Sequence, residues 1–119
     1  MITRLGTYSQ IKGSSSKLPC KVATTGDISL SGLTSNDGIS LSDNDRVLVW
    51  QQLISSENGI YIASSGVWSR AIDMSIDDDV FSGTQIFINS GSTNGGKLFI
   101  IKNSDPITIG SSLVFEPLS

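Results

Sequence analysis

Three features of this 119-residue chain predict an all-β fold, an antiparallel β-sandwich or small barrel with an extended N-terminal arm. Short runs of alternating apolar and polar residues recur along the chain, separated by Gly, Asn, Asp and Ser, the pattern of many short strands joined by turns. Ser, Thr and Gly fill the polar positions and charged residues make up only 16% of the chain, below the roughly 25% of ordinary soluble domains. No segment repeats its apolar residues at helical spacing.

Residues 1–17 read as an arm ending in the linker-like run Gly13-Ser14-Ser15-Ser16, and residues 18–119 as one β domain, since this length supports a single core. Lys21-Val22-Ala23-Thr24 is a first short strand, and Ile28-Ser29-Leu30-Ser31-Gly32-Leu33 alternates as a half-buried strand does. Asn36-Asp37-Gly38 and Asp43-Asn44-Asp45 mark turns. Arg46-Val47-Leu48-Val49-Trp50-Gln51-Gln52 has apolar residues on both faces, as a central strand does.

The stretch from Glu57 to Ala71 reads as a hairpin. Ile60 and Ile62 alternate with Tyr61 and Ala63, then Val67 and Ser69 with Trp68 and Arg70. Ser64-Ser65-Gly66 is expected to form a three-residue turn closed by Gly66 in the left-handed conformation. Asp73 to Asp79 is a polar connection, and four more strands follow: Thr84–Asn89, Lys97–Lys102, Ile107–Ile109 and Leu113–Glu116. The expected core is Val22, Ile28, Leu30, Val47, Val49, Ile60, Ile62, Trp68, Ile86, Ile88, Phe99, Ile101, Ile109 and Phe115.

Composition narrows the function. A formal net charge of -3 with eight scattered Lys and Arg argues against nucleic acid, whose phosphates require clustered cations. The lone Cys20 excludes an intramolecular disulfide and multi-thiolate zinc, and the absence of His removes the usual general base and metal ligand. No segment has the length of a membrane helix, and the N-terminus lacks the apolar run of a signal peptide. The expectation is a non-enzymatic protein without metal, cofactor or membrane partner, made in the cytoplasm and kept there until assembled.

Sharper readings have bland counterparts. Asp73, Asp77, Asp78 and Asp79 could gather calcium, but they lack the alternating acidic spacing of a calcium loop and read better as a solvated connection. Arg46, Glu57 and Arg70 could form a recognition or catalytic set, although such residues beside strands usually bind carbonyls and one another. Trp50, Tyr61 and Trp68 could stack on a sugar, whereas aromatics within strands more often fill a core. Cys20 has no His to activate it and reads as a small buried hydrophobe. The arm holds Ile2, Arg4, Leu5 and Tyr8, more apolar than a free tail requires, and these are candidate contacts to a neighbouring subunit or a larger assembly.

Most of the chain resembles a β-rich module repeated in virion proteins of tailed bacteriophages. The matching residues run from Leu18-Pro19 through Lys21-Val22-Ala23-Thr24-Thr25, Ile28–Leu33, Asp37-Gly38 and Asp45-Arg46-Val47-Leu48-Val49. They continue through Glu57-Asn58-Gly59-Ile60-Tyr61, Trp68-Ser69-Arg70-Ala71, Gly91 with Thr93-Asn94-Gly95, and Pro106-Ile107-Thr108-Ile109-Gly110. No one tetrapeptide is specific; the order and number of matches carry the resemblance. Cys20 and Trp50 depart from the family pattern, which has a small aliphatic and a polar residue there.

The resemblance implies a virion structural protein, often trimeric, on a fibre, a spike or a capsid surface. Fibres carry the module within a longer polypeptide, whereas only the short arm precedes Leu18. A capsid decoration or cement protein of the virion is therefore expected, a homotrimer bound to the major capsid protein or other virion proteins, with Ile2, Arg4, Leu5 and Tyr8 as the capsid or subunit contacts. The alternative is a receptor- or glycan-binding module of a tail fibre or head fibre, meeting host-surface glycan through the loop residues Asn36, Asp37, Thr93 and Asn94. A polysaccharide-cleaving enzyme would need paired carboxylates across a cleft, which nothing in the sequence specifies.

Overall fold

The computed structural model describes residues 16–118. The strands among them are β1 (Val22–Ala23), β2 (Ser35–Asn36), β3 (Ile39–Ser40), β4 (Arg46–Val49), β5 (Gly59–Ile62), β6 (Ser69–Arg70), β7 (Gln85–Phe87), β8 (Leu98–Ile101) and β9 (Phe115–Pro117). Three 3₁₀ turns, Ser55–Glu57, Ile72–Met74 and Asp77–Asp79, connect them, and the described residues contain no α-helix. The strands make a four-stranded sheet in the order β1-β4-β5-β6, a three-stranded sheet β7-β8-β9 and the small β2-β3 hairpin.

Alternation along the strands assigns each side chain its layer. Ala23, Leu48 and Ile60 share one face of the four-stranded sheet, since Ala23 pairs with Leu48 and Leu48 with Ile60. They pack in one cluster with Ile86, Ile88, Phe99, Ile101 and Phe115 of the second sheet. Val22, Val47 and Tyr61 stand on the opposite face, in a second cluster with Leu41, Val49, Ala63 and Trp68. The first sheet is thus covered on both sides, by the second sheet and by the stretch containing Ile28, Leu30 and Ile39. This is why three consecutive residues, Val47, Leu48 and Val49, are all fully buried.

The all-β prediction holds, with differences of detail. Pairing is not wholly antiparallel: β1 runs parallel to β4, while β4-β5, β5-β6, β7-β8 and β8-β9 are antiparallel. Ile28–Leu33 is not a strand; the Gln52 side-chain amide substitutes for a neighbouring peptide, accepting from Ile28 N at 2.9 Å and donating to Ile28 O at 2.9 Å. Ile107–Ile109 is not a strand either, because Ile109 N is drawn to the Asp77 carboxylate at 2.9 Å. Ile28, Leu30, Ile62 and Ile109 are only half-buried, while Cys20, Leu48, Ala71, Met74 and Leu113, absent from the expected core, are fully buried.

The expected three-residue turn is also corrected. Tyr61 pairs with Arg70 and Ile62 with Ser69, so the connection runs over residues 63–68. On the return, Val67 bridges to Ser31 and Trp68 N donates to Leu30 O at 2.9 Å before the chain meets β5. Gly66 does not take a positive φ; that conformation belongs to Asp37, Gly38 and Asn44 in the two preceding turns.

The chain joins the fold at the edge of β7. Ser16 bridges to Gln85 in parallel, Lys17 N donates to Gln85 O at 2.9 Å, and Lys17 is buried. The contacts expected of Ile2, Arg4, Leu5 and Tyr8 lie outside the described residues.

Candidate functional site

The four residues predicted for recognition are brought together by two loops. Ser35–Asn36 and Ile39–Ser40 pair as a hairpin whose central residues, Asp37 and Gly38, have φ of 51° and 80°, the left-handed pair of a two-residue hairpin turn. This turn carries Asp37 onto the 91–94 loop. Its carboxylate accepts from Thr93 N at 2.9 Å, Asn94 N at 2.8 Å and Ser92 Oγ at 3.2 Å, while its carbonyl accepts from Ser92 N at 3.1 Å. Desolvation pushes the Asp37 carboxyl up, but the N–H groups of Asn94 and Thr93 outweigh it and hold the pKa below the usual carboxylate value.

Glycine makes this approach possible. A Cβ on Gly91, where φ is 125°, would lie 2.3 Å from Asp37 Oδ2, far inside contact distance. Asn94 is buried and points inward, its Nδ2 3.5 Å from Thr24 O. Asn36 is also buried, with Nδ2 donating to Thr34 Oγ1 at 3.3 Å. Of the four residues only Thr93 is well exposed. Asp37 is therefore a clamp between two loops, and its carboxylate is engaged by the protein's own donors.

The second conspicuous motif, Glu57-Asn58-Gly59-Ile60-Tyr61 with Arg70, resolves the same way. Arg70 donates to Asn58 O at 3.0 Å and Ser56 O at 2.9 Å, with its guanidinium 5.1 Å from the Tyr61 ring centroid. Tyr61 OH donates to Glu57 O at 2.6 Å. A Cβ on Gly59 would fall 2.5 Å from Arg70 Nη1, so the glycine is the opening through which the arginine reaches its carbonyls. Asn58 is buried between Gln52 N, which donates to its Oδ1 at 3.0 Å, and Leu113 O, which accepts from its Nδ2 at 3.0 Å.

Arg46, Glu57 and Arg70 do not converge. Arg46 makes a bidentate pair with Asp73, both bonds 3.0 Å, and donates to Leu18 O at 2.9 Å and Pro19 O at 3.2 Å, pinning the entering chain to β4. Glu57 accepts from Gln52 Nε2 at 3.0 Å. The acidic cluster is divided likewise: Asp73 faces Arg46, Asp77 accepts from Ile109 N, and Asp79 accepts from Ser75 N at 2.9 Å and Ile76 N at 3.1 Å. Among the described residues no group of three acidic or thiol side chains is arranged to hold a metal ion. Open grooves flank Asp77 and Asp78, one lined by Ser75, Ile76 and Ile109, the other by Phe81, Asp105 and Ile107.

The aromatic candidates for sugar stacking are packed inward. Trp68 and Tyr61 are buried, and Trp68 Nε1 donates to Gly32 O at 2.9 Å. Trp50 is half-buried, edge-on to Phe99 with centroids 5.0 Å apart, and its Nε1 donates to Thr24 O at 2.6 Å. Burial pushes the Cys20 thiol up to about 12, the state of an inert core thiol. No helix among the described residues is long and apolar enough to cross a membrane.

What the sequence did not single out is the apolar surface. Ile72, Leu53, Val67, Leu18 and Ile54 are 90%, 87%, 83%, 68% and 61% exposed. The absence of helical periodicity around Ile72 hid this, because a 3₁₀ turn buries Ala71 and Met74 while lifting Ile72 out. No protein-family model, curated protein or solved structure matches this chain.

Proposed function

We propose that this chain is a structural protein of a bacteriophage virion, a trimeric decoration protein that binds the outer capsid surface. The observation that carries the reading is the contrast between loops and surface. The polar residues of the shared motifs are turned onto backbone groups of the chain itself, while five large aliphatic side chains from Leu18 to Ile72 are mostly exposed. Of these, Leu53 and Ile54 are adjacent in the chain and both exposed, and contiguous exposed apolar surface favours contact with another protein over recognition of a hydroxyl-rich glycan. The ordered resemblance to tailed-phage modules supplies the setting, and the low charge density leaves little repulsion between neighbouring copies.

The mechanism is mass action. A protein that binds the assembled shell and not its separated subunits shifts the equilibrium toward the shell. A trimer gains further, since attachment through one subunit raises the effective concentration of the other two. Closed threefold symmetry also gives open sheet edges a place to be covered.

The test is to mix purified protein with capsids lacking it and to separate bound from free by sedimentation. Saturable co-sedimentation with the capsids is expected. Protein that stays in the supernatant, yet binds host cells, would replace this reading with that of a receptor-binding fibre module.

A further inference from the structure

Leu53 and Ile54 stand in the connection between β4 and β5, 87% and 61% exposed. The chain's own polar groups brace this connection. The Gln52 side chain is buried and bonded to both backbone groups of Ile28 and to Glu57, while Gln52 N donates to Asn58 Oδ1. Leu53 N donates to Asp27 Oδ1 at 2.8 Å, and Ile54 O accepts from Glu57 N at 2.9 Å. Ser55 O accepts from Leu113 N at 3.3 Å and Ser56 O from Arg70 Nη2 at 2.9 Å. With these groups engaged, the tip presents two aliphatic side chains on a backbone fixed before any contact is made. An anchor organised in advance loses little conformational freedom on binding.

Charge narrows the kind of surface that receives it. Asp27 is exposed with a carboxylate oxygen on Leu53 N, and Glu57 ends the 3₁₀ turn that follows Ile54. Arg70, the cation beside this turn, directs its guanidinium onto Ser56 O, Asn58 O and the Tyr61 ring. An anionic lipid surface repels the two carboxylates. A protein pocket with an apolar floor and Lys or Arg at its margin complements both the side chains and the charge. Size agrees with attachment through several copies. Two side chains cover far less than the roughly 1,200 Å² of a stable pairwise interface, so one tip binds weakly and joined copies bind together.

We infer that the Leu53–Ile54 tip is the anchor that enters an apolar, cation-rimmed pocket on the capsid surface. The inference rests on the decoration reading and names the residues that make its contact.

The test uses a Leu53→Cys variant carrying the polarity-sensitive thiol dye acrylodan, in which buried Cys20 stays unmodified, mixed with capsids lacking the protein. A blue shift of the dye on binding is the expected result; an aqueous spectrum on capsids that have bound the protein would overturn the inference. A Leu53→Asp/Ile54→Asp variant, altered only at exposed positions, is expected to keep its Tm and to lose about tenfold or more in capsid affinity. A folded variant that co-sediments like the unsubstituted protein would overturn the inference alone. Affinity should fall as salt is raised, and indifference to salt would contradict the cationic margin. A blue shift on phosphatidylcholine vesicles without capsids would assign the tip to a membrane instead. If the unsubstituted protein does not co-sediment with capsids at all, the decoration reading fails and the inference with it.

Discussion

Replacing Asp37 by Asn tests whether the loop clamp is held by charge. Asn tolerates the left-handed φ of 51° at this position and keeps one acceptor oxygen, so the substitution removes the negative charge while preserving the turn. Three donors lose a charged partner: Thr93 N, Asn94 N and Ser92 Oγ. Hydrogen bonds to a charged group contribute about 1.5–3 kcal/mol when well shielded, but Ser92 and Thr93 are exposed and water competes for them. A total loss of about 1–2 kcal/mol follows, which for a domain of this size lowers Tm by roughly 5–10 °C.

The pH dependence provides the sharper check. Because the folded-state pKa of Asp37 is depressed, its contribution is complete above the unfolded carboxyl value, about 3.9, and is lost as pH falls through the lower folded value. Thermal unfolding followed by circular dichroism should therefore show wild type and Asp37→Asn well separated at pH 7 and converging as pH falls below the ordinary carboxyl range. Equal stability at pH 7, or a gap unchanged at low pH, would refute the assignment of Asp37 as an ionised clamp.

Gly59→Ala should destabilise the fold by about 2 kcal/mol or more in urea titration, since its Cβ would overlap Arg70 Nη1 and force the guanidinium off two carbonyls. Met74→Ala removes a fully buried side chain and should cost about 2–5 kcal/mol by the same measurement. Cys20, with its thiol raised to about 12, should resist a thiol reagent at pH 8 in the native state and react fully in denaturant; rapid native reaction would contradict its burial.

Much of the fold was legible because strands advertise themselves when one rule governs them. β5 follows from apolar alternation, and β4, β7 and β8 from short apolar runs bounded by turn residues such as Asp43-Asn44-Asp45 and Asn94-Gly95-Gly96. What escaped was carried by side chains acting as backbone. Gln52 occupies the hydrogen-bonding positions of Ile28, and Asp77 takes the N–H of Ile109, so two apolar runs that alternate like strands form only isolated bridges, Ser31 with Val67 and Ile109 with Ser111. The parallel pairing of β1 with β4 leaves no local signature, because the partner lies more than twenty residues away.

The candidate site was legible in part. Asp37, Thr93 and Asn94 lie in loops, as turn chemistry foretold; that the two loops meet comes from the fold, and their polar groups face one another and Thr24. Residue type could locate the loops; it could not tell a carboxylate offered to solvent from one closed over by three donors. The exposed apolar side chains were hidden for a related reason, since Phe87 and Ile86 look alike in sequence and differ only in which face of β7 they occupy.

The most direct test of a decoration role is to locate the protein on assembled particles with a specific antibody in the electron microscope. Label distributed over the capsid surface is the predicted result. Label confined to tail or fibre tips, or absent from particles altogether, would contradict it.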